Sequence, residues 1–527
     1  MRKIIAVLII IFCQQILWAQ TEPSPTAWGD LGDGTYANPV LLSDYSDPDI
    51  IRVGKKYYMI CSEFHFMGMP VLESDDMVNW RIVSQIYRQI EHEQFNNMTG
   101  YADGTWAPAL RYHDGKFWMF VCMPNTGLYM STAQRAEGPW TPLYQVKAVK
   151  GWEDPCPFWD EDGQAYLGRS RVGAGPIIIH RMSPDGKQLL DEGKTVYEGP
   201  VAEGTKFLKK DGYYYLSIPE GGVATGWQTV LKSRNIYGPY ESRRCLEMGS
   251  TSVNGPHQGS LVDTPQGEWW FYHFQDRSPL GRVLHLQPVK WQADGFPFIG
   301  EDYDGNGIGE PVKVWTKPQT GRRRKPSAPQ ASDNFRNKRL GLQWAWNHNP
   351  VNENWSLTER KGWLALRAMQ ADRLRSARNT LTQKSMGYKG EATVCLDYSQ
   401  MKYHQRAGLC CIGRTTYGAG IERVPSEAEW RLYRERDGNH TLLGHIPASE
   451  KSVLYLRLTV DDRANTHQFS YSQDGLNYHP LGESFSEGNA DWKGYRLGLF
   501  TYTTQETGGT AYFTNFQYHF DGPGHWK

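Results

Sequence analysis

Three carboxylates, a tryptophan and a histidine stand at matching places along this chain, and their types suit the handling of a sugar. They are Asp47, Trp106, Asp154, Glu203 and His257, each seven to ten residues before a turn glycine (Gly54, Gly115, Gly163, Gly212 and Gly267). Cleaving a glycosidic bond needs one carboxylic acid to protonate the leaving oxygen. It needs a second carboxylate to activate water or to attack directly. An acid entering an apolar strand is costly unless it is paired or used. Asp47 and Asp154, each followed by proline, also fit a turn or a strand start. Three acids at equivalent positions fit chemistry better.

The elements that must position them are legible from the glycines. Each glycine is followed three residues later by an aromatic residue: Tyr57, Trp118, Tyr166, Tyr215 and Trp270. Successive glycines are 61, 48, 49 and 55 residues apart. Short apolar stretches flank every one, which reads as a β-hairpin turned at glycine. A second pair of strand-like runs follows each hairpin, at 71–83, 128–146, 177–197, 229–248 and 282–300. Four strands per repeat and five repeats predict a five-bladed β-propeller over 34–315. The first strand of each blade lines the axis, so the five residues would converge there.

Other features bound the reading. Residues 1–20 read as a signal peptide: Arg2 and Lys3, then an apolar run from Ile4 to Phe12, then Leu17-Trp18-Ala19 before a cut near Gln20. That run is too short to span a membrane, so an exported protein, periplasmic or secreted, is expected. Acidic and basic residues balance at 57 each, which argues against a nucleic-acid partner. Apart from Cys13, the cysteines are seven in number, lack metal-ligand spacing and sit in apolar runs, so no disulfide framework is expected. Asp302 to Gly307 resembles the start of a calcium loop, but the twelfth position is Lys313, which excludes an EF-hand and favours a polar turn.

Residues 316–331, with three prolines and the basic run Arg322 to Lys325, read as a solvated linker. Beyond it, 332–527 alternates with period two. Leu454, Leu456, Leu458 and Val460 form one such set; Tyr512, Thr514, Phe516, Tyr518 and Phe520 form another. This size and patterning predict a β-sandwich. Trp344, Trp346, Trp355 and Trp363 would be either its core or a sugar platform. The fold class expected is all-β, a five-bladed propeller followed by a sandwich.

Several runs together resemble glycoside hydrolase family 43. They are Asn38-Pro39-Val40 with Asp47 to Tyr58, then Thr105 to Phe117, Asp154-Pro155 before Phe158, Ala202 to Thr205, and Gly255 to Gly259. The C-terminal region resembles the concanavalin-like jelly roll of the family's β-xylosidase-type members. The resemblance implies that Asp47 is the general base, Glu203 the general acid and Asp154 a third carboxylate that holds the acid and raises its pKa. It implies inversion, with base and acid roughly 6.5–9.5 Å apart. It also implies that Arg282 points at the sugar. Trp106 would pack on the sugar ring or in the core, and Phe64 is either a further pocket wall or a core residue. His257 is carried with the substrate-binding set. No cofactor is required by this resemblance. It does leave room for a structural calcium near the propeller axis beside His273, which could equally be a hydrogen-bonded core residue.

The expected activity is exo-cleavage of terminal α-L-arabinofuranose, slightly favoured, or β-D-xylose from hemicellulose oligosaccharides such as arabinoxylan or xyloglucan. A propeller lectin without turnover is the rival from another class. A fructan-cleaving enzyme is a second rival, but the opening motif expected of that group is missing around Asp47.

Overall fold

The computed structural model describes residues 25–322, 324–425, 429–447, 452–488, 491–506 and 508–526. The expected signal peptide lies outside them. Five four-stranded antiparallel sheets form the blades of a propeller, each built from consecutive strands. Their innermost strands are Asp49–Val53, Trp106–His113, Trp152–Trp159, Lys206–Lys210 and His257–Asp263. The strand of blade one lies between those of blades two and five, which closes the ring. Thr35–Ala37 pairs with Val314–Thr316, tying the start of the propeller to its end.

The five repeated glycines sit in the turn between the first and second strands. Their φ values run from +62° to +87°. A Cβ on Gly54, Gly115, Gly163 or Gly267 would meet nothing within 4 Å. Backbone conformation, not crowding, is therefore why glycine is needed there. The aromatic residue three places on is buried in every blade.

The sandwich packs an eight-stranded sheet on a seven-stranded one. Leu454, Leu456, Leu458 and Val460 point into the space between them, as their alternation predicts. The last strand, Thr510–Phe520, departs from simple alternation. Ala511 and Phe513 are buried, and so are Phe516, Tyr518 and Phe520, while Tyr512 and Thr514 face outward. Asn515, left-handed at φ 51°, forms a bulge that shifts the pairing with Thr393–Cys395 by one residue. One extra residue reverses which face every later side chain occupies. Trp344 is core, packed on Phe335 and Phe516, and Trp346 is buried beside Trp355.

The basic segment is exposed, as a solvated linker would be, but it is also anchored. Arg322 and Arg324 both grip Asp75 on blade one, and Lys317 bonds Asp30 at 2.6 Å. The seven cysteines of the described residues are all buried free thiols. Among the described residues no helix is long and apolar enough to cross a membrane.

Candidate active site

Each innermost strand opens with one residue forced into the left-handed region. They are Asp47, Ala107, Asp154, Gly204 and Gln258, with φ between +40° and +63°. In blades two, three and five the pairing with the second strand slips at this point. Such a kink re-aims the neighbouring side chain. It also sets the true phase between blades. Trp106, Glu203 and His257 precede the kinked residue, whereas Asp47 and Asp154 occupy it. The residue equivalent to Glu203 in blade three is therefore Glu153.

The kinks bring the acids together. Single carboxylate oxygens of Glu153, Asp154 and Glu203 lie within 4.8 Å of one another. Asp47 is close enough that its charge acts on both Glu153 and Asp154. Its own carboxylate is fully engaged. Oδ2 accepts hydrogen bonds from Ser46 Oγ at 2.9 Å and Ser62 Oγ at 2.5 Å, and Oδ1 accepts from Arg282 Nη1 at 2.8 Å. The Arg282 guanidinium lies 4.5 Å over the Phe274 ring, on which His257 also packs.

Asp154 is held differently. Oδ2 accepts from Ser170 Oγ and from the Gly204 amide, and Oδ1 accepts from Gln258 Nε2 at 3.1 Å. Through Gly204 it fixes the backbone beside Glu203. Burial, then the Glu203 carboxylate, pushes its pKa up to about 6. Glu203 makes one side-chain hydrogen bond, between Oε1 and His257 Nε2 at 2.7 Å. Its side chain is 20% exposed, against 6% for Asp47. Of the two it is the one that stands where a leaving group could reach it.

Glu153 was not singled out from the sequence, because its neighbour Asp154 drew the assignment. Burial and the adjacent Asp154 and Glu203 carboxylates hold it far above the usual carboxylate range, so it is protonated at neutral pH. Its Oε1 accepts from the Ala174 amide at 3.3 Å.

Two aromatic rings shape the mouth. Phe64 is buried, with its ring 6.1 Å from that of Trp106. Trp492 of the sandwich reaches over to Trp106 at 5.5 Å, half-exposed, and Lys493 lies 5.4 Å over Phe64. Nothing in the local sequence marks Trp492; it enters by docking of the second domain.

His273 does not hold an ion in this arrangement. Its Nδ1 lies 3.1 Å from the Phe274 carbonyl and its Nε2 lies 3.0 Å from Gln287 Nε2, so one nitrogen donates and the other accepts. No lone pair is left for a metal. Between the inner strands runs a channel of about 190 Å³ whose lining includes Asp49, Arg111 and Lys206. Asp49 accepts from Arg111 Nη1 and Ser260 Oγ, both at 2.6 Å, and Lys206 stands 3.9 Å away. Two fixed cations already neutralise that carboxylate, and they oppose a calcium ion on the axis. The residues present do not fit the calcium that the resemblance left room for.

The comparisons with known proteins agree with this geometry. Residues 36–297 match glycosyl hydrolases family 43, and 332–519 match the β-xylosidase C-terminal concanavalin A-like domain. A putative β-xylosidase of Xylanibacter ruminicola is 55% identical over 91% of this chain and 89% of its own length. The chain belongs to glycoside hydrolase family 43. A β-xylosidase of Formosa agariphila is 38% identical, covering 97% of this chain and 94% of that protein. A non-reducing-end α-L-arabinofuranosidase of Bacteroides ovatus is 28% identical over 82% of this chain and 80% of its own length. Among solved structures, a xylan β-1,4-xylosidase from Bacillus halodurans superposes with a TM-score of 0.80 at 27% identity, covering 92% of this chain and 99% of that one. This family 43 enzyme is a glycoside hydrolase, and the lectin reading has no support among these relatives.

Proposed function

We propose that this enzyme is an exo-acting, inverting β-xylosidase that removes terminal β-D-xylose from xylan-type oligosaccharides. The observation that carries the reading is the division of labour among the acids. Asp47 is buried and clamped by Arg282 and two serines, which orient it as the base for water. Glu203 is the exposed member. His257 Nε2–H donates to its Oε1, which leaves Oε2 to carry the proton given to the leaving oxygen. Asp154 accepts a hydrogen bond from the Gly204 amide next to the acid, so it is a positioning residue acting through that backbone and through its charge beside Glu203. Phe64 and Trp106 form an apolar wall for the sugar ring. Trp492 closes one side, which suits a chain end rather than a continuous polymer.

Xylose replaces the arabinofuranose slightly favoured from the sequence. Two relatives of high coverage carry the β-xylosidase name, and the arabinofuranosidase name belongs to a more distant one. The two sugars share much of their hydroxyl arrangement, so the assay must compare them. Aryl β-D-xyloside is expected to be cleaved with the higher kcat/KM and aryl α-L-arabinofuranoside more slowly; the reverse order would overturn the sugar assignment. The first xylose released is expected to be the α-anomer by proton NMR. Glu203→Gln is expected to lose about 10²–10⁴-fold in rate. Sugar binding retained at full strength with no product from the wild type would end the hydrolytic reading of this site. We further propose that the enzyme is exported, with the mature N-terminus near Gln20; N-terminal sequencing of the processed protein tests this.

A further inference from the structure

The sandwich contains a second cluster of chemically capable groups that the hydrolytic site does not use. Cys411 lies on strand Gln405–Ile412 of one sheet and His467 on strand Thr466–Ser472 of the other. Glu487 follows Phe485 on a connecting segment. One donor atom from each lies within 4.8 Å of the other two. All three side chains are buried, with 2% exposure at most.

Their hydrogen bonding is incomplete in a particular way. Neither oxygen of Glu487 makes a hydrogen bond of ordinary geometry; the Cys411 thiol and the Gly488 amide are its polar neighbours. A buried carboxylate without a counter-charge is strongly unfavourable. His467 Nε2 is 3.1 Å from Asp462 Oδ1, and its Nδ1 has no partner. Asp462 is itself oriented by the Tyr495 hydroxyl at 2.9 and 3.1 Å. An aspartate that accepts Nε2–H fixes the tautomer and leaves a lone pair on Nδ1. Metal-binding histidines are held by this kind of outer carboxylate.

We propose that Cys411, His467 and Glu487 bind one zinc ion that links the two sheets of the sandwich, with water as the fourth ligand. A thiolate, an imidazole and a carboxylate form a mixed donor set that suits zinc and not calcium or magnesium. Tetrahedral zinc with bonds of about 2.0–2.3 Å places its ligands roughly 3.3–3.8 Å apart. The three donors, within 4.8 Å of one another, would close to that spacing on binding. Both the Cys411 thiol and the Glu487 carboxyl ligate in their deprotonated forms, so the protons they hold leave to solvent on binding, and the metal supplies the counter-charge for the thiolate and carboxylate.

The test uses the full-length protein, stripped with a chelator and reloaded with zinc or cobalt alone. Elemental analysis after gel filtration is expected to give about one zinc per chain. Cobalt loading is expected to give a thiolate-to-metal charge-transfer band. Cys411→Ser should abolish that band and the stoichiometric zinc, while Cys395→Ser, at another buried thiol of the sandwich, should retain both. Asp462→Asn should weaken zinc affinity by about 10–100-fold. The proposal is overturned if the wild type retains no zinc from excess, if loaded cobalt shows no thiolate band, or if Cys411→Ser binds metal as the wild type does. The wild-type cobalt spectrum decides the matter even if the cysteine variant fails to fold.

Discussion

Glu153 shows how the carboxyl groups of a site set one another's protonation. It is protonated because it is buried beside Asp154 and Glu203. Its folded pKa lies above the ordinary 4.5, so the folded chain holds a proton that the unfolded chain releases. Stability is therefore complete below about pH 4.5 and declines as pH rises toward the folded value. Asp154 has the same sign over a window that ends near pH 6. Glu153→Gln keeps the shape and removes the titration. Its melting temperature is expected to exceed that of the wild type increasingly from pH 6 to 9, with kcat/KM at pH 6 within a few-fold. An unchanged pH slope of Tm would show that Glu153 does not carry the elevated pKa.

At the scale of elements, the kink at the head of each innermost strand does the positioning. Gly204 is the kink of blade four, at φ +63°, and a Cβ there would meet Pro219 at 2.5 Å. Its amide is also a donor to Asp154. Gly204→Ala should therefore cost about 1–3 kcal/mol and move Glu203 away from Asp154. Activity is expected to fall by about 10²-fold while far-ultraviolet circular dichroism stays propeller-like. Wild-type kcat/KM in that variant would show that the backbone there does not set the geometry. The glycine–aromatic repeats made the strands legible, but the kinks were not, because Asp, Ala, Gly and Gln share no sequence signature. That is why the phase between blades placed Asp154 opposite Glu203 from the sequence, whereas the structure places Glu153 there.

At the scale of the whole molecule, the two domains share a buried ionic junction. Glu63 of the propeller is held by Lys384 at 2.7 Å and Arg496 at 2.5 Å, both from the sandwich and all nearly inaccessible. Ser62, which bonds Asp47, and Phe64, which faces Trp106, flank it. Docking of the sandwich and the shape of the pocket are thereby coupled. Glu63→Gln strands two buried cations and is expected to cost about 3–5 kcal/mol, with a parallel loss in kcat/KM measured well below the melting temperature. Full activity alongside lowered stability would show that the junction supports the fold without shaping the pocket. A second close approach reinforces it: a Cβ on Gly494 would lie 2.0 Å from the Leu280 carbonyl, in the loop that leads to Arg282.

The sequence by itself determined what depends on local rules. Glycine at left-handed turns, aromatic residues three positions on and period-two alternation made a five-bladed propeller and a sandwich legible, and the acids at strand heads marked Asp47, Asp154 and Glu203 as candidates. Those rules act over a few residues, so they can be read without a structure. Tertiary packing alone decided the rest. Only the closed ring shows that His273 is satisfied inside blade five and that Arg111 and Lys206 occupy the axis. Only docking brings Trp492 to Trp106, across nearly four hundred residues of chain. Only the stacking of two sheets sets Cys411, His467 and Glu487 side by side. Contacts between distant segments depend on how surfaces fit in space, and no spacing along the chain encodes that fit.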